Sequence, residues 1–130
     1  MNIVLDTSAV VRVILDRDVV FINMLLVADK VFIPHLFFAE TGNVFLKYHL
    51  YQNMYQGDCK LYLAQCRQLT TDVIDEYTIA DEVFDMAKEH QLSYYDAIYL
   101  TMADKLGAKL LTVDKRLYAT AVKLGVAATW

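Results

Sequence analysis

Asn2-Ile3-Val4-Leu5-Asp6-Thr7-Ser8 opens the chain with a short apolar run that stops at a carboxylate and passes into two hydroxyl residues. An unbroken aliphatic run of this length reads as a strand buried on both faces. Asp6 ends it, and Thr7-Ser8 open a helix through about Leu15. The same pattern returns in Lys109-Leu110-Leu111-Thr112-Val113-Asp114, a strand that again stops at an aspartate, with a helix following to Leu124 and a closing Gly125. Two strands, each ended by an acid and each leading into a helix, decide the fold class.

Between them the chain alternates in the same way. Val31-Phe32-Ile33 is a short strand ended by Pro34, which suits the first turn of a helix. That helix should run from His35 to about Leu50, with Phe37, Val44, Phe45 and Tyr48 along its apolar side. Val19 to Ala28 and Gly57 to Thr70 read as further helices, the second using Leu61, Ala64 and Leu69. Asp72 to Glu76 is a brief strand. Thr78, with Asp81 three residues on, forms a weak capping box for a helix that packs Ile79, Val83, Phe84, Met86 and Ala87 inward and ends near Gln91. Ser93 caps the next helix, which closes at Gly107, and Val126-Ala127-Ala128 is a last edge strand. Short apolar strands alternating with helices imply an α/β sandwich of three layers, with a central parallel sheet of four to five strands. Ligands of such sheets bind beyond the carboxyl ends of the strands, where Asp6 and Asp114 sit.

The 130 residues suit a single domain, expected to span 1–130, and a hydrophobic content of 57% against 22% charged predicts a folded chain rather than a disordered one. No stretch looks like a signal peptide or is long enough to span a bilayer, so a cytoplasmic location without membrane attachment is expected. Cys59 and Cys66, seven apart, can share one helix face as buried free thiols. The net charge of −4 is uneven. Residues 72–104 carry nine acidic groups against Lys88 alone, whereas from Lys105 onward five basic groups meet only Asp114. An acidic chain is not an obvious nucleic-acid binder, so a role of that kind must rest on local chemistry.

That chemistry lies in four acids. Asp6 and Asp114 each precede a helix and can act simply as N-caps; Asp96 can complete a capping box with Ser93. Glu40 is different, because Leu36, Phe37 and Val44 place it on the apolar stripe of its helix, where an unpaired carboxylate must find a partner or a proton. Leu92 and Leu100 flank Asp96 in the same way. Bringing carboxylates within about 5 Å of one another costs on the order of 3 kcal/mol per pair at an effective dielectric near 20. A small domain has only about 5–15 kcal/mol of stability to set against such repulsions. A divalent cation removes the conflict, and all-oxygen ligation without His or Cys points to Mg²⁺ or Mn²⁺.

At these residues the sequence resembles the PIN-domain nucleases, and most closely the VapC-type toxins of toxin–antitoxin pairs. The matching pieces are Val4-Leu5-Asp6-Thr7-Ser8, Phe38-Ala39-Glu40-Thr41-Gly42-Asn43-Val44, Ser93-Tyr94-Tyr95-Asp96-Ala97-Ile98-Tyr99-Leu100 and Leu110-Leu111-Thr112-Val113-Asp114. The resemblance implies a Rossmann-like sheet and Mg²⁺-dependent endoribonuclease activity. It makes Asp6, Glu40, Asp96 and Asp114 the catalytic metal-site acids, with Ser8, Asn43 and Thr112 in support. It also implies a homodimer and a small antitoxin protein that blocks the cleft. A carboxylate not fully engaged by metal, Asp96 or Asp114, would take the proton of the attacking water.

Arg12, Arg17, Lys115 and Arg116 follow the first and last acids and could grip RNA phosphates, or could be ordinary solvated helix surface. The tyrosine-rich stretch from Tyr48 to Tyr55, with Tyr62 beyond, suits either an interface or core packing. Two rival functions remain. A catalytically idle PIN-like module for protein or RNA binding should have lost an acid, and all four are present. A phosphoacceptor receiver domain needs an acidic pair after the first strand, an aspartate after the third and a lysine after the fifth, whereas only Asp6 follows the first strand and no lysine ends a late one.

Overall fold

The computed structural model describes residues 1–130 and contains a five-stranded, wholly parallel sheet in the order β3-β2-β1-β4-β5. β1 (Asn2–Leu5) leads through α1 (Thr7–Asp16) and α2 (Val19–Val27) to β2 (Lys30–Pro34). α3 (Leu36–Gln52) and α4 (Gln56–Gln68) then lead to β3 (Asp72–Ile74). A short 3₁₀ turn (Glu76–Ile79), α5 (Ala80–His90) and α6 (Tyr94–Leu106) return the chain to β4 (Lys109–Leu111) beside β1. α7 (Lys115–Lys123) and β5 (Ala128–Thr129) complete the sheet.

The strands run outward from β1 in one direction and then restart on its other side at β4. Right-handed crossovers therefore lay the two sets of helices on opposite faces. Alternation along β1 shows it: Ile3 and Leu5 join the α1–α4 side with Val10, Phe21, Phe37 and Phe45, while Val4 joins the α5–α7 side with Val83, Leu100 and Leu117. This is the expected three-layer α/β sandwich. Its order reverses between β1 and β4, and that is the switch point at which open α/β sheets bind ligands.

Several boundaries differ from expectation for local reasons. β4 ends at Leu111 because the Thr112 hydroxyl takes the Asp114 N–H at 3.0 Å, turning the chain before Val113. The capping box at Thr78 does not form: Asp75 accepts from the Tyr77 N–H at 3.1 Å and the Thr78 hydroxyl donates to the Asp75 carbonyl, so a 3₁₀ turn precedes α5. Phe84 points to solvent, with 62% of its surface exposed, where inward packing was expected. In α4 the inner face is Cys59, Tyr62, Leu63 and Cys66, an i, i+3, i+4, i+7 set, and Leu61 and Ala64 lie outside it. Both cysteines are free and buried, as expected, and burial pushes the Cys66 thiol up to about 11. No helix is long and apolar enough to cross a membrane.

Candidate metal centre

Asp6, Glu40, Asp96 and Asp114 arrive from four separate elements and line one open cavity of about 240 Å³, together with Thr7, Ser8, Val44 and Tyr99. Asp6 and Asp114 end up there because each follows the carboxyl end of a strand flanking the switch point. Glu40 comes from the second turn of α3, and Asp96 from the first turn of α6.

The capping roles weighed for Asp6 and Asp114 are real and coexist with the cavity. Asp114 Oδ1 accepts from the Leu117 N–H at 2.9 Å and caps α7, leaving Oδ2 without a hydrogen bond. Asp6 Oδ1 accepts from the N–H and the hydroxyl of Ser8, capping α1, and Oδ2 accepts from the Thr112 hydroxyl at 2.7 Å. Thr112 is wholly buried and also bonds the Asp114 N–H, so one hydroxyl ties the two strand-end acids together. Ser8 in turn accepts from the Val113 N–H at 3.1 Å. The Ser93 hydroxyl accepts from the Asp96 N–H at 3.0 Å, but the Ser93 N–H makes no reciprocal bond to the Asp96 carboxylate, so the capping box is half-formed.

Glu40 lies beside the buried line Phe37, Thr41 and Phe45 rather than within it. Its partners were not evident in the sequence. The Tyr99 hydroxyl donates to Oε1 at 2.6 Å and the Thr7 hydroxyl donates to the same oxygen at 3.0 Å. Oε2 has no hydrogen bond. Tyr99 is only 2% exposed, and burial together with the charge of Glu40 pushes its phenol far above the usual tyrosine range, so it stays a neutral donor. The signals were faint: a hydroxyl directly after Asp6, and a tyrosine one turn after Asp96.

The electrostatics are those of a site short of positive charge. Burial raises the Asp6 carboxyl above its ordinary value, against the pull of Ser8 and Thr112. Burial also raises Asp96, and the charges of Asp114 and Asp6 add to it; Ser93 and Arg116 oppose the rise weakly. Asp96 therefore senses Asp114 and Asp6. The four acids are not crowded to the spacing expected, since no three of them have ligand atoms mutually within 4.8 Å. Only His35, Asp75 and Glu76 meet that spacing, at the rim of the sheet. There Glu76 accepts from the N–H groups of His35 and Leu36 at 3.2 and 2.8 Å and serves as the missing cap of α3. A wider set of hard oxygen ligands still fits Mg²⁺ or Mn²⁺, because Mg²⁺ usually keeps several waters and is held by few carboxylates directly.

The remaining candidates divide. Ser8 and Thr112 brace Asp6, while Asn43 is exposed and outside the cavity lining. None of the four basic residues lines the cavity. Arg116 is nearest in effect, donating to the Gln91 carbonyl and lowering the Asp96 carboxyl. Lys115 lies over the Trp130 ring, 5.1 Å from its centroid. Arg17 closes the far end of α1, about 16 Å along the helix from Asp6. In the tyrosine-rich stretch, Tyr48 and Tyr62 pack on Phe45, whereas Tyr51 and Tyr55 are 74% and 70% exposed.

Comparison with known proteins bears on the family and the fold. The profile of the PIN domain family matches residues 3–123. Over 39 residues the chain is 41% identical to Ribonuclease VapC3 of Pyrobaculum aerophilum, a segment covering 30% of each protein. The crystal structure of PAE2754 from Pyrobaculum aerophilum superposes with a TM-score of 0.76 at 26% identity, over 92% of this chain and 86% of that one. The crystal structure of VapBC2 from Rickettsia felis, bound to a DNA fragment from their promoter, gives 0.71 at 14% identity over 99% and 98% of the two chains.

Proposed function

This chain belongs to the PIN domain family, and from that premise we propose that it is a Mg²⁺- or Mn²⁺-dependent endoribonuclease, the toxin of a toxin–antitoxin pair. One observation carries the reading: carboxylates from four elements line one cavity at the switch point of the sheet. Residues 1–130 then act as one PIN domain, working in the cytoplasm on an RNA phosphodiester.

Asp6, Glu40, Asp96 and Asp114 would hold the cation. When bound, it supplies Lewis acidity toward the phosphodiester and lowers the pKa of water. The protein's part is to keep the oxygens in place. Ser8 and Thr112 hold both oxygens of Asp6, and Tyr99 and Thr7 hold Oε1 of Glu40 while Oε2 stays open. A carboxylate not fully engaged by the cation, Asp96 or Asp114, takes the proton of the attacking water. The water oxygen bonds to phosphorus as the bond to the leaving ribose oxygen breaks, and that oxygen leaves with a proton from solvent.

An antitoxin partner and a homodimer belong to the same reading. The Rickettsia felis relative was crystallised as a VapBC assembly, and this chain exposes Val19, Val20, Leu26 and Val27 along α2 as well as Tyr51 and Tyr55. Such apolar surface suits contact with other chains.

Incubation of the purified protein with structured RNA and Mn²⁺ tests the proposal. Cleavage is expected, lost with EDTA and in Asp6→Asn. Cleavage that persists through both treatments would overturn it, as would a native protein that binds Mn²⁺ but cuts none of a broad panel of RNAs.

A further inference from the structure

Trp130 lies one residue beyond the Leu111–Thr129 pair of the β4–β5 ladder, level with Thr112 and on the same end of the sheet as the acids. Its indole N–H donates to the Val113 carbonyl at 2.8 Å. Standard peptide dimensions then put the indole nitrogen within about 6 Å of the Asp114 Cα. Lys115 Nζ sits 5.1 Å from the ring centroid, and Tyr118 flanks the ring at 6.3 Å. With its N–H donating to Val113 and with Lys115 and Tyr118 against the ring, Trp130 is still 48% exposed as a whole residue.

We propose that Trp130 and Lys115 form a nucleobase-stacking subsite beside the acidic cavity, in which the indole receives a base of single-stranded RNA on the face away from Lys115, and Lys115 meets the phosphate backbone. This rests on the RNA-cleaving reading above and names where that substrate is gripped. A rigid aromatic paired with a cation is the recurring platform for single-stranded nucleic acid, because every base offers a π-face. It also answers a charge problem. The cavity is lined by carboxylates and by no lysine or arginine, so a polyanion needs a hold outside it. The hold lies next to Asp114, in the basic C-terminal part of the chain.

Trp130 is the only tryptophan, so its fluorescence reports on this position alone. The probe is a short single-stranded oligoribonucleotide, titrated into Asp96→Asn protein, with an abasic oligomer of equal length as control. Saturable quenching by the first and not the second is expected. In otherwise native protein, Trp130→Ala should raise the KM for RNA by roughly 5- to 150-fold, the range given by stacking of about 1–3 kcal/mol per base. Little change in kcat or in Mn²⁺ affinity is expected, and Trp130→Phe should recover most of the loss. RNA that is bound and cut with unquenched fluorescence, and with an unchanged KM in Trp130→Ala, overturns the subsite and leaves the nuclease reading standing. Quenching by RNA without cleavage by native protein overturns the nuclease reading and leaves the subsite. Neither binding nor cleavage overturns both. A Trp130→Ala protein that fails to fold leaves the quenching and the Phe variant to decide.

Discussion

Tyr99 donates its hydroxyl to Oε1 of Glu40 at 2.6 Å, joining the middle of α6 to the second turn of α3 across the cavity. The bond gives a half-buried carboxylate a neutral hydrogen-bond donor and fixes one of its two oxygens. Without it Glu40 keeps Thr7 alone.

Tyr99→Phe is therefore expected to lower stability by about 1–2 kcal/mol, near the lower end for hydrogen bonds to charged groups. It should also weaken Mn²⁺ binding by letting Glu40 rotate. Urea unfolding and calorimetry on the same protein check both, and a purely structural Tyr99 would move only the first.

One pair of variants separates the cap that Asp114 provides from the metal-binding role proposed for it. Asp114→Asn keeps a good cap and removes the charge, so stability should hold or rise while metal binding and cleavage fall sharply. Asp114→Ala should lose about 0.5–2 kcal/mol with the cap. Thermal unfolding and Mn²⁺ titration of the two proteins side by side make the comparison.

The metal-free protein should respond to pH with a sign opposite to that of salt-bridged carboxylates. Asp6 and Asp96 have folded-state pKa values raised above 3.8, so the folded protein holds these protons more tightly than the unfolded chain. Their contribution is harmless below 3.8 and becomes a growing penalty as pH rises through the raised values. Unfolding in EDTA should show stability from this source falling as pH rises, and saturating Mn²⁺ should cancel or reverse the trend. Equal pH profiles with and without Mn²⁺ would contradict it.

Much of this was legible because strands ended by aspartates are punctuated in one dimension. Leu5-Asp6 and the run to Asp114 needed only hydrophobic run length and the rule that sites sit at carboxyl ends. What depends on how elements pack was not legible. Tyr99 lies in the run Ala97-Ile98-Tyr99-Leu100, and its hydroxyl has a meaning only once α3 lies opposite α6. The inner face of α4 was misassigned because cysteines rather than Leu61 form its buried line. Phe84 looked inward by composition, yet α5 is covered on one side only, and position 84 falls on the other. Asp6 and Asp114 seemed to require a choice between cap and ligand. A carboxylate has two oxygens, and Asp114 spends one on the helix while the other stays open.

The proposed function stands or falls with a divalent cation held by four carboxylates from four elements. Calorimetric titration of Mn²⁺ into metal-free protein, repeated on Asp96→Asn and Glu40→Gln, tests it most directly. Saturable binding to the native chain is expected, lost or greatly weakened in both variants, although each variant remains folded. Native protein that takes up no Mn²⁺, or variants that bind it as tightly as the native chain, would contradict it.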